Sequence, residues 1–144
     1  MEYKRFSNSV LIRLDIGEDV GEQVLSVAKK ESISLASVSG IGGTNDFTVG
    51  VFSIEKNCYV ERRFEGDHEI TSIAGNITTM NGESYVHLHI TCADGSGRVV
   101  GGHLLRARIS ISAEIILQIC DGAVDRKHDE TLNFNKLVFQ GSAD

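Results

Sequence analysis

Three of the five histidines fall in one short run, His87-Leu88-His89-Ile90-Thr91-Cys92-Ala93-Asp94-Gly95-Ser96-Gly97-Arg98-Val99-Val100-Gly101-Gly102-His103. Side chains two apart on a strand share a face, so His87 and His89 project together while Leu88, Ile90 and Cys92 project the other way. Cys92 is thereby set apart from the imidazoles. Whether His103 joins them depends on the connection between the strands. If Gly95-Ser96-Gly97 is a three-residue hairpin loop with Gly97 in the left-handed position, Asp94 faces Arg98 and His89 faces His103. A loop of two or four residues instead pairs Leu88 with His103 and scatters the histidines over both faces. Three converging neutral imidazoles suit one zinc ion per chain, because catalytic zinc keeps three protein ligands and an open fourth position for water or substrate. The other reading of His87, His89 and His103 is a polar lining at a subunit contact or a solvated groove. Beyond His103 the same face continues through Leu105, Ala107, Ile109 and Ile111, all apolar. Either the site borders the core, or a bulge at Gly101-Gly102 changes the parity.

Two carboxylates are candidates for a role beside these histidines. Glu69 and Glu114 sit in apolar strand-like segments, where a carboxylate is costly unless paired. Each is a candidate general base or partner of a metal ligand, with a salt bridge to Arg106 or Arg108 as the plainer alternative. Ser39-Gly40-Ile41-Gly42-Gly43 lacks the G-x-G-x-x-G spacing and is followed by a strand-like stretch, so it reads as a tight turn with no helix N-terminus waiting for a phosphate. Ser37 and Ser39 stand outside any G-x-S-x-G elbow. Arg62-Arg63 reads as a solvated edge, and His68 and His128, among acidic neighbours, read as surface.

The elements that must position these residues follow from periodicity. Ser9 to Ile16 alternates Val10, Ile12, Leu14 and Ile16 with polar or small neighbours, which predicts a half-buried strand. Asp19 and Glu22 have capping-box spacing, Val20, Val24, Val27 and Ala28 recur at helical intervals, and Lys29 and Lys30 suit a last turn, which predicts one helix from Val20 to Glu31. Afterwards β-branched residues between Gly, Asn and Asp predict strands at Ser34–Ile41, Asp46–Ile54, Tyr59–Phe64, Glu69–Thr79, Tyr85–Ala93, Arg98–Ser112, Ala113–Cys120 and Leu132–Phe139. One helix with about eight strands is an α+β domain. With 144 residues and no linker, repeat or low-complexity tract, the chain reads as a single domain over 1–144, with 141–144 a frayed tail.

Composition narrows the function classes. A net charge of −6 disfavours direct DNA binding, because phosphate contacts supply most non-specific affinity for nucleic acid. Cys58, Cys92 and Cys120 are an odd number without a C-x-x-C pair, which fits a reducing compartment better than a disulfide framework. Neither a secretory apolar core at the N-terminus nor a membrane-length apolar stretch is evident, so the expected location is cytoplasmic.

Asp94-Gly95 and Gly97-Arg98-Val99-Val100-Gly101-Gly102-His103-Leu104 resemble the signature of the plants-and-prokaryotes-conserved (PPC) domain in its bacterial and archaeal form. Ser39-Gly40-Ile41-Gly42-Gly43 is similar to that family's early glycine turn, and His68-Glu69-Ile70-Thr71-Ser72-Ile73-Ala74-Gly75-Asn76-Ile77 to its central Glu-Ile segment. The resemblance implies a strongly bent, largely antiparallel sheet with one principal helix, a homotrimer, and kinship with zinc-binding folds such as acetolactate decarboxylase. Carried onto this chain, it makes His87, His89 and His103 the metal ligands. Plant members are usually called DNA-binding because they carry separate AT-hook segments, whereas this chain has no Arg-Gly-Arg-Pro hook and no proline. Where many plant members have Gly-Arg-Phe, it has Gly66-Asp67-His68.

Three functions from different classes follow. One is a metal-dependent small-molecule site, either a binding pocket or a hydrolase or lyase centre. The second is a trimeric regulatory or DNA-associated protein acting mainly through partners. The third is a structural trimer without a ligand.

Overall fold

The structure, a computed structural model, describes residues 1–139; the expected tail at 141–144 lies outside them. In chain order the elements are β1 (Glu2–Phe6), β2 (Ser9–Leu14), α1 (Val20–Lys30), β3 (Ala36–Ser53), β4 (Cys58–Met80), β5 (Glu83–Asp94), β6 (Val99–Ile119), β7 (Asp125–Asp129) and β8 (Phe134–Val138). All eight strands belong to one sheet, antiparallel except for a single parallel pair between β4 and β7. The α+β expectation of one helix and about eight strands therefore holds, but the strands are divided differently. Ser34–Ile41 and Asp46–Ile54 merge into β3, Tyr59–Phe64 and Glu69–Thr79 into β4, and Arg98–Ser112 and Ala113–Cys120 into β6. β1 and β7 are strands that the periodicity did not predict.

The long strands survive as single elements because bulges let them bend. Ser39–Gly43 is not a turn but continuous strand, with register shifts at Gly40/Gly42 and Thr44/Asp46. Bending lets β3, β4, β5 and β6 pair in a closed ring, β6 returning to β3, while β1–β2 and β7–β8 extend the sheet at opposite ends. The core fills the inside of this curl with Ile70, Ile73, Ile77, Leu88, Ile90, Cys92, Ala107, Ile109, Ile115 and Leu117, all buried.

The helix closes the core. Its Val20, Val24, Val27 and Ala28 are buried, as the helical spacing requires. Asp19 caps it, accepting from the Glu22 amide at 3.1 Å, a bond of the kind typically worth about 1 kcal/mol. The other carboxylate oxygen of Asp19 accepts from the Ala107 amide at 3.0 Å, which ties the helix start to β6. Among the described residues, no helix is long and apolar enough to cross a membrane.

Candidate metal centre

The β5–β6 connection decides the site. Asp94 and Arg98 are joined by the Asp94 amide donating to the Arg98 carbonyl at 3.0 Å, which leaves Gly95, Ser96 and Gly97 as a three-residue loop. Gly97 has φ +82°, the left-handed conformation such a loop needs and glycine adopts without a steric penalty. Asp94 Oδ1 further accepts from the Ser96 and Arg98 amides at 2.9 and 3.1 Å, fixing the turn from within. With an odd loop, His89 lies directly opposite His103.

Parity then changes at one residue of β6. Thr48 pairs with Arg106 but Val49 with Leu104, so Leu105 is an extra residue. Before this bulge Leu104 packs on the core and His103 points to the other side; after it Ala107 and Ile109 are buried. The bulge offered as one alternative at Gly101-Gly102 is therefore found at Leu105. It takes Leu105, 40% exposed, out of the expected apolar row Leu105, Ala107, Ile109, Ile111, while a second irregularity, where Gly42 pairs with Ala113 and Thr44 with Ile109, leaves Ile111 69% exposed.

The three imidazoles converge. Ring centroids lie 5.4 Å apart for His87–His89, 5.0 Å for His87–His103 and 5.6 Å for His89–His103. One nitrogen from each can be chosen so that all lie within 4.8 Å of one another, an arrangement that can hold a metal ion. The donor set, three imidazole nitrogens, fits a divalent transition metal, and burial favours the neutral form of His87 and His103. Desolvation, with His103, Arg126 and His89 nearby, lowers the His87 pKa to about 4, and desolvation likewise lowers that of His103. His103 Nδ1 is buried without a hydrogen-bond partner, the kind of orphaned atom a ligand satisfies. Cys92 faces the core, where burial pushes its thiol up to about 12, so it is no co-ligand.

Residues that sequence reasoning missed build the walls. Tyr85 continues the alternating row Tyr85, His87, His89 on β5, opposite Thr78 on β4, while Asn76 lies opposite His87. Arg126 of β7 enters on the same side and is only 7% exposed. It donates from Nε to Thr78 Oγ1 at 2.8 Å, from Nη1 to the Asn135 carbonyl at 2.9 Å and from Nη2 to Asn76 Oδ1 at 2.8 Å, and its guanidinium lies over the Tyr85 ring. On the opposite wall Tyr59 stacks on His103 with centroids 4.7 Å apart. Gly50 makes room for it, because a Cβ there would stand 2.8 Å from Tyr59 Cδ1.

These groups enclose a cavity of about 190 Å³ that is also lined by the β7–β8 turn. That turn is held to the β3–β4 turn by Asn133 Nδ2 donating to the Asn57 carbonyl at 3.0 Å. His128 is exposed, as expected, and at the same time lines this cavity and bonds Asn135 Oδ1 at 3.0 Å. His68, also expected at the surface, is half-buried and meets Phe47 edge-on.

Glu69 and Glu114 are not brought to the histidines within this chain. Both are exposed and line a different groove, with Ile41, Thr71 and Ser112. Their alternative salt bridge is not formed either, since Arg106 pairs with Asp46 at 3.2 Å, and Arg63 completes that cluster at 2.8 Å.

Comparison with known proteins supports this architecture. A candidate DNA-binding protein from Bacteroides thetaiotaomicron superposes with a TM-score of 0.93 at 26% identity, over 96% of this chain and 97% of that one. A metal-containing protein from Archaeoglobus fulgidus reaches 0.83 at 27% identity, over 96% and 97%. A Staphylococcus aureus protein similar to α-acetolactate decarboxylase shares the fold at 0.58 and 18% identity, over 83% of this chain and 56% of that one. No curated protein matches the chain. The sequence pattern of the Plants and Prokaryotes Conserved (PCC, also written PPC) domain matches residues 1–121, and the chain belongs to that family.

Proposed function

We propose that the chain is a homotrimer in which each copy holds one zinc ion on His87, His89 and His103 and uses it to bind or process a small molecule. The observation that carries this reading is the buried Nδ1 of His103, unpartnered among the described residues, in a side chain that lines a cavity together with His87. Three neutral nitrogens leave the fourth position of a tetrahedral zinc to water or ligand. A zinc bound there supplies an acidified water or a polarised carbonyl, the chemistry of hydrolases and lyases. The protein's part is to favour the neutral form of His87 and His103 by burial, to hold the three imidazoles through the β5–β6 register, and to limit water with Tyr59, Tyr85 and the β7–β8 turn. Trimerisation is supported by Leu11, Ile41, Ile111 and Ile116, all exposed large apolar side chains that a monomer leaves in water. Three unpaired cysteines fit the reducing cytoplasm.

The name of the Bacteroides neighbour favours a second reading, a trimeric regulator at DNA. Charge opposes direct contact, since three copies of a chain at −6 carry −18. Duplex binding is expected to be weak near ~0.15 M salt, and submicromolar affinity in gel shifts at that salt would favour the regulator.

The deciding experiment is metal analysis of protein purified without chelator, beside His89→Ala and His68→Ala. One metal per chain is expected in the parent and in His68→Ala. The His89→Ala affinity should fall by more than the roughly hundredfold that loss of a mere supporting partner costs. Absence of metal, with added zinc neither binding nor raising Tm, overturns the zinc reading.

A further inference from the structure

Among the described residues, no Asp or Glu lines the cavity over His87 and His103, although acids outnumber bases in the chain by 20 to 14. Its one permanent charge is Arg126, nearly buried yet bonded only to neutral partners, a threonine hydroxyl, an asparagine amide and a backbone carbonyl. The acids nearest in sequence are committed elsewhere. Asp125 accepts from Thr79 Oγ1 at 3.1 Å, and Asp129 pairs with Lys136. A buried guanidinium without a counter-ion is costly, and burial accordingly lowers the Arg126 pKa. Of the five N–H groups of arginine, three are engaged, which leaves two for a ligand.

From this arrangement we infer that the cavity is built for a small oxyanion, specifically a carboxylate that sits on Arg126 and extends toward His87 and His103. The inference deepens the small-molecule reading and rests on it for the metal, while the Arg126 half stands by itself. A divalent ion on three neutral imidazoles adds two positive charges to that of Arg126, with no acid in the lining to balance them. An anionic ligand supplies the missing charge. The size agrees, since about 190 Å³ equals the space of about six waters in the liquid, enough for a compact acid. Tyr59 and Tyr85 offer flat faces for its carbon skeleton, and His128 with Asn135 adds polar edges at the rim.

The test is calorimetric titration of zinc-loaded and metal-free protein at about pH 7.5, where free imidazole is neutral, with glycolate, its uncharged isostere glycolamide, and inorganic phosphate. Glycolate is expected to bind once per chain, and glycolamide at least about tenfold more weakly, in both metal states. Arg126→Gln should weaken glycolate by a similar factor while zinc stoichiometry is unchanged, and Arg126→Lys should recover part of the affinity. Equal binding of glycolate and glycolamide, or no glycolate binding to protein that carries its zinc, overturns the anion site and leaves the metal reading intact. Phosphate binding tighter than glycolate overturns the carboxylate assignment. If the protein takes up no zinc, the metal reading fails, and the metal-free glycolate and glycolamide titrations alone decide the Arg126 site. Should Arg126→Gln fail to fold, those wild-type titrations decide it equally.

Discussion

Two concave regions along the same strands have opposite chemistry. Among the described residues, the cavity over His87 and His103 is lined by polar side chains without an acid, beside aromatic rings and a buried guanidinium. The groove at Glu69 and Glu114 adjoins Leu11, Ile41 and Ile116, three exposed apolar side chains. Buried polar atoms without partners are costly and persist where something else satisfies them. Exposed apolar side chains are costly in the other direction, and contact with another protein surface removes that cost. The first region has the character of a ligand site and the second that of a subunit contact, and two irregularities in β6, at Leu105 and between Ile109 and Ala113, lie between them.

One residue inserted into β3 between Thr48 and Val49, which would give Leu105 a partner, is the harshest way to break the comparison. Regular alternation across that point turns either His103 and Val49 to the opposite face or Phe47, Ala107 and Ile109 out of the core. Exposing Ile109 alone forfeits about 1.5–3 kcal/mol. With Ala107 and local strain added, the insertion should lower Tm by roughly 10 °C or more, together with loss of metal binding. Deletion of Leu105 instead leaves Leu104 on Val49 and Arg106 on Thr48, keeps both faces and should do neither. Circular-dichroism melts with metal analysis check this, and an insertion variant that melts and binds zinc like the parent would show that the bulge does not set the parity.

The second way compares neighbours on β6 that the alternating pattern assigns to one face. Ile109 is 1% exposed and Ile111 69%. Ile109→Ala should cost about 2–5 kcal/mol at any protein concentration. Ile111→Asp should leave the stability of the isolated chain within about 0.5 kcal/mol but shift light scattering from three chains toward one. An unchanged mass for Ile111→Asp removes this face from the subunit contact.

How much of this was legible in the sequence differs between the two hairpins of the site. The β5–β6 hairpin could be read because its signals are local: histidines two apart, a Gly-Ser-Gly loop, and a register that the loop length sets. The bulge at Leu105 could not, because Leu105, Ala107, Ile109 and Ile111 alternate without a break and only pairing with β3 reveals the extra residue. Arg126-Lys127-His128 reads as a charged surface for a related reason. Arg126 is buried by partners 48 and 50 residues earlier in the chain, Thr78 and Asn76, which no local pattern announces. Tyr85 was within reach, since extending the row His87, His89 by one more step of two arrives at it. Glu69 and Glu114 drew attention as carboxylates in apolar segments, but both stand on the exposed side of their strands.

A third test uses pH, because burial keeps the His87 imidazole of the cavity neutral. The folded His87 pKa is lowered to about 4 from an ordinary 6.5, so between these values the unfolded chain binds a proton that the folded chain refuses. This contribution to stability is complete above about pH 6.5 and is lost as pH falls toward about 4. Metal-free protein should therefore lose Tm across that window, and His87→Leu should lose less. The carboxylates with lowered pKa, such as Asp46 beside Arg63, begin to matter only below it. An identical decline in His87→Leu would mean that His87 is not kept neutral by burial.

The smallest effect is expected at the tip of the hairpin that brings the histidines together. Gly97 holds φ +82°, and an L-residue there costs about 1–2 kcal/mol. Nothing lies within 4 Å of where its Cβ would stand, so Gly97→Ala adds backbone strain without a clash. Asp94 still accepts from the Ser96 and Arg98 amides, and His89 still pairs with His103 four residues beyond the pair nearest the loop, Ala93 and Val99. Tm should therefore fall by only a few degrees while zinc stoichiometry remains one per chain. If metal binding falls together with Tm, the loop alone sets the register. If only Tm falls, the closed pairing of β5 between β4 and β6 holds the histidines in place, and the glycine serves the turn rather than the site.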